Sequence, residues 1–360
     1  MPKKMFTRLL FVCLCLGLFT TIACGNETIH LTDQTTMAPG VSHDQGDDTP
    51  YLYPLMHMSK TQLDEEETEF KSLETYSLLQ QRELMMDRGT GAISKTLLPY
   101  ITYIPSERNQ GSCGDCWVWA ATGALEIDHA VTTGIHERFS TQYFNSKYNN
   151  GEGANWACCG GSLGRFTSWY NTDKILIPWS NTNAGFGDKS RTCGSLATAV
   201  PQNTISVTPH YELKSISYSA VPTTGVGQTT AIANIMNIID NNKALYYTYH
   251  FGSRGWNAFY YNWSHYAEPV IFNPDSYGGE SDAGGHGVLV VGYDTADPAN
   301  PYWIVLNSWG TTSGRPNGLF RLRMDMNYDN TYTNGGSTYS QHKFYVLDST
   351  FQESGIRNPA

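Results

Sequence analysis

The chain has 360 residues, of which 40% are hydrophobic and 13% aromatic, so it can bury one large core or two lobes and is not a disordered chain. Its 23 lysines and arginines against 33 aspartates and glutamates give a formal charge of -10. This charge gives no support for a basic surface that contacts phosphates, and we expect no nucleic-acid partner.

Residues 1–24 have the composition of an export signal. A positively charged start, Lys3 to Arg8, precedes an apolar stretch, Leu9 to Phe19, that is too short for a stable transmembrane helix. The signal ends at Cys24 in a run that resembles the bacterial lipobox, although Thr21 stands where that pattern prefers Leu. We expect either lipidation of Cys24 or ordinary cleavage nearby. Both predict export, either to the bacterial cell envelope with membrane anchoring by an N-terminal lipid or to the extracellular space.

Residues 25–97 form a polar, acidic region. Asp64 to Glu69 is nearly all carboxylates, and the segment from Phe70 to Leu84 has apolar residues at rough helical spacing. We expect one helix on a flexible stalk, and the region is either an anchoring stalk or a short propeptide. Gly89-Thr90-Gly91 breaks the helical pattern, and a differently composed region begins at residue 98.

Residues 98–360 show a helical pattern followed by strand patterns. Trp117 to Val131 is rich in helix formers with an apolar face, which predicts a buried helix. In the second half, short apolar and aromatic runs such as Ala244 to Phe251 and Gly287 to Tyr293 predict strands. The aromatic block from Tyr246 to Tyr266 is expected to form core strands rather than to line subsites. These patterns favour an α+β fold with two lobes and a site in the cleft between them.

Cys116 is the candidate nucleophile because it lies at the start of the predicted helix, after a glycine-containing turn. Backbone N–H groups without partners and the helix dipole stabilise a thiolate there. The run Cys113-Gly114-Asp115-Cys116 also fits a redox dithiol, half of a zinc site or a purely structural pair. Zinc lacks a second ligand pair, since Cys158 and Cys159 are adjacent, and we expect no metal and no other cofactor.

The cysteine count indicates one free thiol. Of the eight cysteines, two leave with the signal and Cys24 is the candidate lipid site. Five remain, and these are Cys113, Cys116, Cys158, Cys159 and Cys193. An odd number in an oxidising compartment indicates that one of them is kept free.

His286 and Asn307 lie beside two predicted strands. If Tyr293 lies opposite Tyr302 in a hairpin, Asn307 lies opposite Val288 and diagonal to His286 on the same face of the sheet. The amide oxygen of Asn307 would then hold the imidazole with its other nitrogen facing the thiol. An imidazolium in that position would lower the pKa of the thiol and give an ion pair.

Three runs resemble motifs of the papain family of cysteine peptidases. QGSCGDCW, residues 110–117, is similar to the family's signature around its active cysteine. The runs around His286 and Asn307 are similar to the family's histidine and asparagine motifs. The resemblance implies a papain-like two-lobe fold, with a helical N-terminal lobe and an antiparallel, β-rich C-terminal lobe. It also implies a cysteine-type peptidase that acts on protein or peptide substrates, and we expect a monomeric catalytic domain.

The resemblance also implies a role for each site residue. Cys116 would attack the peptide bond and form an acyl-enzyme, His286 would act as acid and base, and Asn307 would orient it. The side-chain amide of Gln110, with the backbone N–H of Cys116, would form the oxyanion hole. Trp309 would cover the bond between Asn307 and His286.

Two disulfides follow from the same resemblance. Cys158-Cys159-Gly160-Gly161 is similar to the family's Cys-x-Gly-Gly run, which implies a bond between Cys113 and Cys158 and leaves Cys159 with Cys193. Sequence alone allows three connectivities for four cysteines. Gly160 and Gly161 match the glycines whose backbone pairs with an extended substrate, and an ordinary turn is the alternative.

Asp115 departs from the papain family, which usually has Ser at this position. We expect its side chain to face solvent, because a carboxylate directed at the thiol would disfavour the thiolate. Two other functions stay open. One is a thiol-disulfide oxidoreductase that uses Cys113 and Cys116, and the other is a catalytically inactive papain-fold surface lipoprotein with a binding role.

Overall fold

The computed structural model describes residues 54–76 and 93–352. The export signal, the candidate lipid site Cys24 and residues 77–92 lie outside this part of the chain, so signal cleavage and lipidation stay predictions. Across the described ranges, no helix combines the length and the apolar character that crossing a membrane requires.

Six α-helices occur within the described residues, and they are α1 (Lys60–Ser72), α2 (Cys116–Thr133), α3 (Thr141–Lys147), α4 (Leu163–Asp173), α5 (Gln228–Asp240) and α6 (Ser253–His265). The helix predicted over 117–131 is confirmed as α2. It is buried continuously from its first residue to Ala130, as expected of a helix inside a core. It ends at Gly134, whose left-handed backbone at φ +73° suits a residue without a side chain.

The strands of the described residues are β1 (Ser94–Thr96), β2 (Ile175–Leu176), β3 (Tyr211–Ala220), β4 (Leu245–His250), β5 (Ile271–Phe272), β6 (Gly285–Asp294), β7 (Tyr302–Leu306), β8 (Leu319–Arg323), β9 (Thr331–Asn334), β10 (Ser337–Ser340) and β11 (His342–Phe351). Nine of them form one sheet in the order β2-β3-β11-β4-β6-β7-β8-β5, with β1 beside β6. Its pairs are antiparallel except for β5 with β8. Strands β9 and β10 form a separate hairpin.

The β6–β7 hairpin differs by one residue from the predicted register at its outer end. Asp294, and not Tyr293, lies opposite Tyr302. A bulge within β6 then shifts the register, so that Leu289 lies opposite Leu306. The shift restores the predicted alignment at the end of the hairpin that carries the candidate histidine and asparagine.

The predicted α+β class is confirmed, but the second half of the chain is less purely β than expected. The aromatic block forms a strand only as far as His250, and the rest of it folds into α6. Trp256, Phe259, Tyr260 and Trp263 are the buried aromatic residues of that helix. Their spacing of three and four residues is helical, and this periodicity outweighs the β propensity of the individual aromatic residues.

The helix expected over residues 70–84 lies mostly outside the described residues and stays a prediction, whereas the acidic run before it forms a described helix, α1. α1 begins earlier, at Lys60, after a capping box in which Ser59 and Gln62 bond each other's backbone N–H groups. It ends at Ser72, so it contains the acidic run that we expected to precede it. The predicted leucines 78, 79 and 84 lie outside the described residues.

Helix α1 lies against β10 and β11 instead of standing on a free stalk. Nζ of Lys343 lies 2.9 Å from Glu66 and 3.1 Å from Glu67. The hydroxyl of Tyr339 donates to Asp64 over 2.7 Å. The acidic run is therefore the docking face of the helix, because its carboxylates meet a cation and hydroxyl donors on the sheet.

Candidate active site

Cys116 is the first residue of α2, at the point where the helix meets strand β6. Its side chain is 0% exposed, and it is the free thiol among the described cysteines. The backbone N–H of Gly287 donates to Sγ of Cys116 over 3.3 Å. A Cβ at residue 287 would lie 3.1 Å from Cα of Trp117, so the glycine permits this close approach of strand and helix.

Two disulfides lie beside the candidate nucleophile. Cys113 is bonded to Cys158, and Cys159 is bonded to Cys193. This is the pairing that the family resemblance implied. Because Cys113 is bonded to Cys158, it is not joined to Cys116 as the oxidised form of a redox dithiol would be.

His286 lies near the start of β6 and is held on two sides. Its Nε2 lies 2.8 Å from Oδ1 of Asn307, the residue that follows β7. The ring of Trp309 stacks on the imidazole with centroids 4.4 Å apart. Nδ1 of His286 is buried and has no hydrogen-bond partner among the described residues. Since Asn307 holds Nε2, Nδ1 is the nitrogen left for proton transfer, and the next residue, Gly287, contacts the thiol.

Gln110 is buried immediately before the turn that leads to α2. Its Nε2 donates to the carbonyl oxygen of Cys113 over 2.7 Å, and its Oε1 accepts from the hydroxyl of Ser308 over 2.6 Å. These two bonds fix the orientation of the amide. An amide nitrogen carries two N–H groups, so one remains for a ligand oxygen beyond the bond to Cys113.

The expectation that Asp115 faces solvent is wrong. Its side chain is buried under the start of α2, where Nδ2 of Asn145 donates to its Oδ2 over 2.9 Å. Burial raises its pKa well above the usual aspartate range, and the nearby charge of Asp188 raises it further. The protein therefore accommodates aspartate in place of the family's serine by burying it beside Asn145 of α3.

The buried site also opposes the ion pair expected between Cys116 and His286. Burial raises the pKa of the Cys116 thiol to about 12, although the Gly287 N–H lowers it. Burial lowers the pKa of His286 to about 3, against the hydrogen bond to Asn307, which raises it. Both shifts favour a neutral thiol and a neutral imidazole, so the ion pair requires water to reach the site.

The segment around Met56 covers the site formed by Cys116 and His286. Met56 and Gly285 exchange two backbone hydrogen bonds, of 2.8 and 3.0 Å. The N–H of His57 donates to the carbonyl oxygen of Cys159 over 3.2 Å. The segment therefore bonds both the strand that carries His286 and the loop after α3.

The two candidate substrate-binding glycines have different surroundings. Gly160 has a backbone φ of +108°, and a Cβ there would lie 2.9 Å from Cβ of Met56. A Cβ at Gly161 would lie 2.7 Å from the ring of Trp117. Gly160 therefore faces the chain that lies in the cleft, whereas Gly161 makes room for the tryptophan after the nucleophile.

Residues 100–340 match the sequence profile described as papain family cysteine protease. This match covers more than half of the chain and includes Gln110, Cys116, His286 and Asn307. The chain belongs to the papain family.

Similarity to individual papain-family proteins is lower. The chain is 30% identical over 216 residues to a cathepsin L-like peptidase of Aedes aegypti, covering 58% of this chain and 52% of that protein. It is 27% identical over 262 residues to cathepsin L of Sarcophaga peregrina, covering 68% and 67%. The chain thus spans about half the length of the first of these relatives. Procathepsin B S9 of Trypanosoma congolense shares the fold, with a TM-score of 0.50, 13% identity and coverage of 84% of this chain and 87% of that one.

Two further residues support this papain-family site and were not found from the sequence. Ser308 donates its backbone N–H to Oδ1 of Asn307 over 2.8 Å and its hydroxyl to Gln110, so one residue orients both. Arg108 is buried and donates to the carbonyl oxygens of Asn307 and Trp119, over 3.2 and 2.8 Å. Its neighbours in the sequence carry no signal of this role, because Asn307 is 199 residues away along the chain and the contact with Trp119 forms only through the turn before α2.

Proposed function

We propose that the chain is a cysteine peptidase that hydrolyses peptide bonds in proteins or peptides, with Cys116 as nucleophile. The arrangement around His286 supports the proposal most directly. Asn307 holds Nε2, Nδ1 has no hydrogen-bond partner among the described residues, and the adjacent Gly287 contacts Sγ of Cys116. A nucleophile, a base and a group that orients the base are the parts that this chemistry needs.

The reaction begins when Sγ of Cys116 attacks the peptide carbonyl carbon and its proton passes to Nδ1 of His286. The carbonyl oxygen becomes an oxyanion, which accepts from Nε2–H of Gln110 and from the backbone N–H of Cys116. His286 then gives the proton to the leaving amine as the C–N bond breaks. The product at this stage is a thioester of Cys116.

Hydrolysis of the thioester repeats the cycle with water. His286 takes a proton from water as the water oxygen attacks the acyl carbon, and the C–S bond breaks with return of the proton to Cys116. Asn307 keeps the imidazole in one orientation through both steps. These proposed reaction steps use no metal and no redox group.

An affinity reagent tests the assignment of the nucleophile. An epoxysuccinyl peptide should label Cys116 and abolish cleavage of an unfolded protein. Cys116→Ser should take up no label and show no cleavage. Processed protein that starts near residues 95–100, keeps an intact fold and is still unlabelled and inactive would contradict the proposal and favour the inactive surface lipoprotein.

We further propose that residues 25–97 act as a propeptide. Two features support this: Met56 bonds the strand that carries His286, and Leu55 and Met56 are buried against the cleft. In this arrangement a substrate has no access to the thiol. N-terminal sequencing of active protein should find a start near residues 95–100, and a start at Cys24 in fully active material would contradict the propeptide and favour an anchoring stalk.

Export of the chain is also proposed. Its support is the signal-like composition of residues 1–24 and the two disulfides, which persist in oxidising compartments. The Cys113–Cys158 bond argues against thiol-disulfide exchange by Cys113 and Cys116. Mass mapping of the Cys113–Cys158 bond in the purified protein tests the oxidoreductase alternative. Rapid reduction and reoxidation of Cys113 would support that alternative.

A further inference from the structure

Lys343 belongs to a row of residues that crosses three neighbouring strands and ends at the nucleophile. Lys343 on β11 lies opposite Thr248 on β4, and Thr248 lies opposite Gly287 on β6. Residues directly opposite each other share a face of the sheet. Strands are spaced at about 4.8 Å, so the backbone of Lys343 lies about 10 Å from Gly287. The N–H of Gly287 in turn donates to Sγ of Cys116.

The charge of Lys343 is balanced by the segment that covers the cleft. The lysine is 1% exposed, and its ion pairs among the described residues are to Glu66 and Glu67 of α1. Glu67 also accepts from the backbone N–H and the hydroxyl of Ser340, over 3.2 and 2.8 Å. The lysine and Ser340 are thus arranged to receive carboxylates.

Departure of α1 leaves this cation without a partner. The ammonium of Lys343 then faces the volume that the carboxylates vacate, so its positive charge attracts an incoming anion. Two hydroxyls on the same face have no hydrogen-bond partner among the described residues, Oγ1 of Thr248 and the phenol of Tyr246. The phenol lies 3.3 Å from the position of a Cβ at Gly287, so these donors follow the line from Lys343 toward the thiol.

We infer that in the processed enzyme Lys343, with Thr248 and Tyr246, forms a subsite that selects an acidic side chain of the substrate. The inference rests on the proposed peptidase function and on removal of residues 54–76. An extended peptide advances about 3.3 Å per residue, so the selected side chain lies within three residues of the scissile bond. Glu66 and Glu67 occupy this subsite until the segment leaves.

The test compares matched peptides on full-length protein that has been folded and allowed to process itself. Each peptide pair differs only by Glu or Gln at one position within three residues of the scissile bond. Wild type should favour Glu by roughly tenfold in kcat/KM at one such position, as expected for a charged hydrogen-bonded pair. Lys343→Gln should bring the ratio close to one, and Lys343→Glu should reverse it in favour of Gln.

Two further variants control the comparison. Lys214→Gln changes an exposed lysine on β3 of the same sheet, and it should keep the wild-type ratio. Combining Lys343→Gln with Glu66→Gln and Glu67→Gln removes the buried charges together, so that the chain can fold if the single change prevents it. Cleavage of both peptides with no preference for Glu overturns the inference and leaves the peptidase proposal intact. Cleavage of neither peptide by processed wild type contradicts both.

Discussion

Nε2 of His286 lies 2.8 Å from Oδ1 of Asn307, and the ring of Trp309 stacks on the same imidazole. This bond decides which ring nitrogen remains for the thiol. Asn307→Ala removes the acceptor, so the ring can turn and adopt the wrong tautomer. We expect kcat/KM for a peptide substrate to fall about 100-fold, the size of a general acid-base contribution.

The matched control for that change is Asn300→Ala. Asn300 lies in the loop before β7 and bonds Asp297 at the surface, far from the site residues along the hairpin. It should keep wild-type kcat/KM. Equal activity of Asn307→Ala and wild type would remove Asn307 from the mechanism.

Gln110 should contribute through its amide N–H groups. Gln110→Glu keeps an acceptor for the hydroxyl of Ser308 but removes both N–H donors, so kcat should fall about 100- to 1000-fold, as for loss of an oxyanion-hole donor. Steady-state kinetics and a thermal melt separate this loss from unfolding. A fall in Tm with unchanged kcat for the remaining folded protein would show a purely structural role.

Asp115 gives a prediction for stability against pH. Burial raises its pKa, so the folded protein retains a proton that the unfolded chain releases, and stability falls as pH rises above the unfolded value near 3.8. Asp115→Asn removes this loss and gives Oδ1 of Asn145 the donor that it lacks among the described residues. The variant should raise Tm at pH 7 by about 2–4 °C.

The pH dependence of that difference is the sharper check. The advantage of Asp115→Asn should shrink as pH falls through 3.8, since the carboxyl is protonated in both folded and unfolded wild type below that value. Asp329→Asn, at an exposed position, should leave Tm nearly unchanged at both pH values. A gain for Asp115→Asn of the same size at pH 3.5 and pH 7 would exclude ionisation of Asp115 as its cause.

A synthetic peptide of residues 54–76 should inhibit the processed enzyme. Changing both Glu66 and Glu67 to Gln should raise its inhibition constant about tenfold or more, because the double change leaves buried Lys343 without a charged partner. Glu65→Gln should have little effect, since its pair with Arg165 is long, at 3.5 Å, and the glutamate is exposed. If Glu65→Gln weakened inhibition as much as the change of Glu66 and Glu67 to Gln, the docking face assigned to α1 would be contradicted.

Acid should weaken the same inhibition. Burial alone would raise the pKa of Glu67, but Lys343 and its hydrogen bonds lower it below the ordinary value of 4.5. A lowered pKa means that docking is complete above the ordinary value and is lost as pH falls through the lowered one. The inhibition constant of the peptide should therefore be constant from pH 7 to 5 and rise below 4.5. Inhibition that strengthens on acidification would contradict this ion pair.

The sequence was sufficient to predict the candidates for the nucleophile, the base and its orienting residue. Cys116 could be found because a helix start is a local pattern, and His286 and Asn307 because a hairpin links them over a short stretch of chain. The one-residue error at Tyr302 did not matter, since the bulge in β6 corrects it before the site. Local periodicity would also have given α6, had the spacing of its aromatic residues been weighed above their β propensity.

The buried electrostatics could not be predicted in this way. The pair of Lys343 and Glu66 joins residues that are 277 positions apart, and no local pattern indicates that an acidic run will meet a lysine inside the protein. Asp115 was misplaced for the same reason, because its partner Asn145 lies on another helix. Both errors arose from the assumption that carboxylates lie at the protein surface. That assumption fails where a buried hydrogen-bond donor or cation binds the carboxylate.

Trapping of the acyl-enzyme is the most direct test of peptide hydrolysis by Cys116. Processed protein is mixed with an excess of a slowly hydrolysed ester substrate, quenched in acid and mapped by mass spectrometry. We predict that the acyl group appears on Cys116, disappears as product forms, and is absent in Cys116→Ala. Substrate turnover without any adduct on Cys116, or turnover that persists in Cys116→Ala, would contradict the assignment.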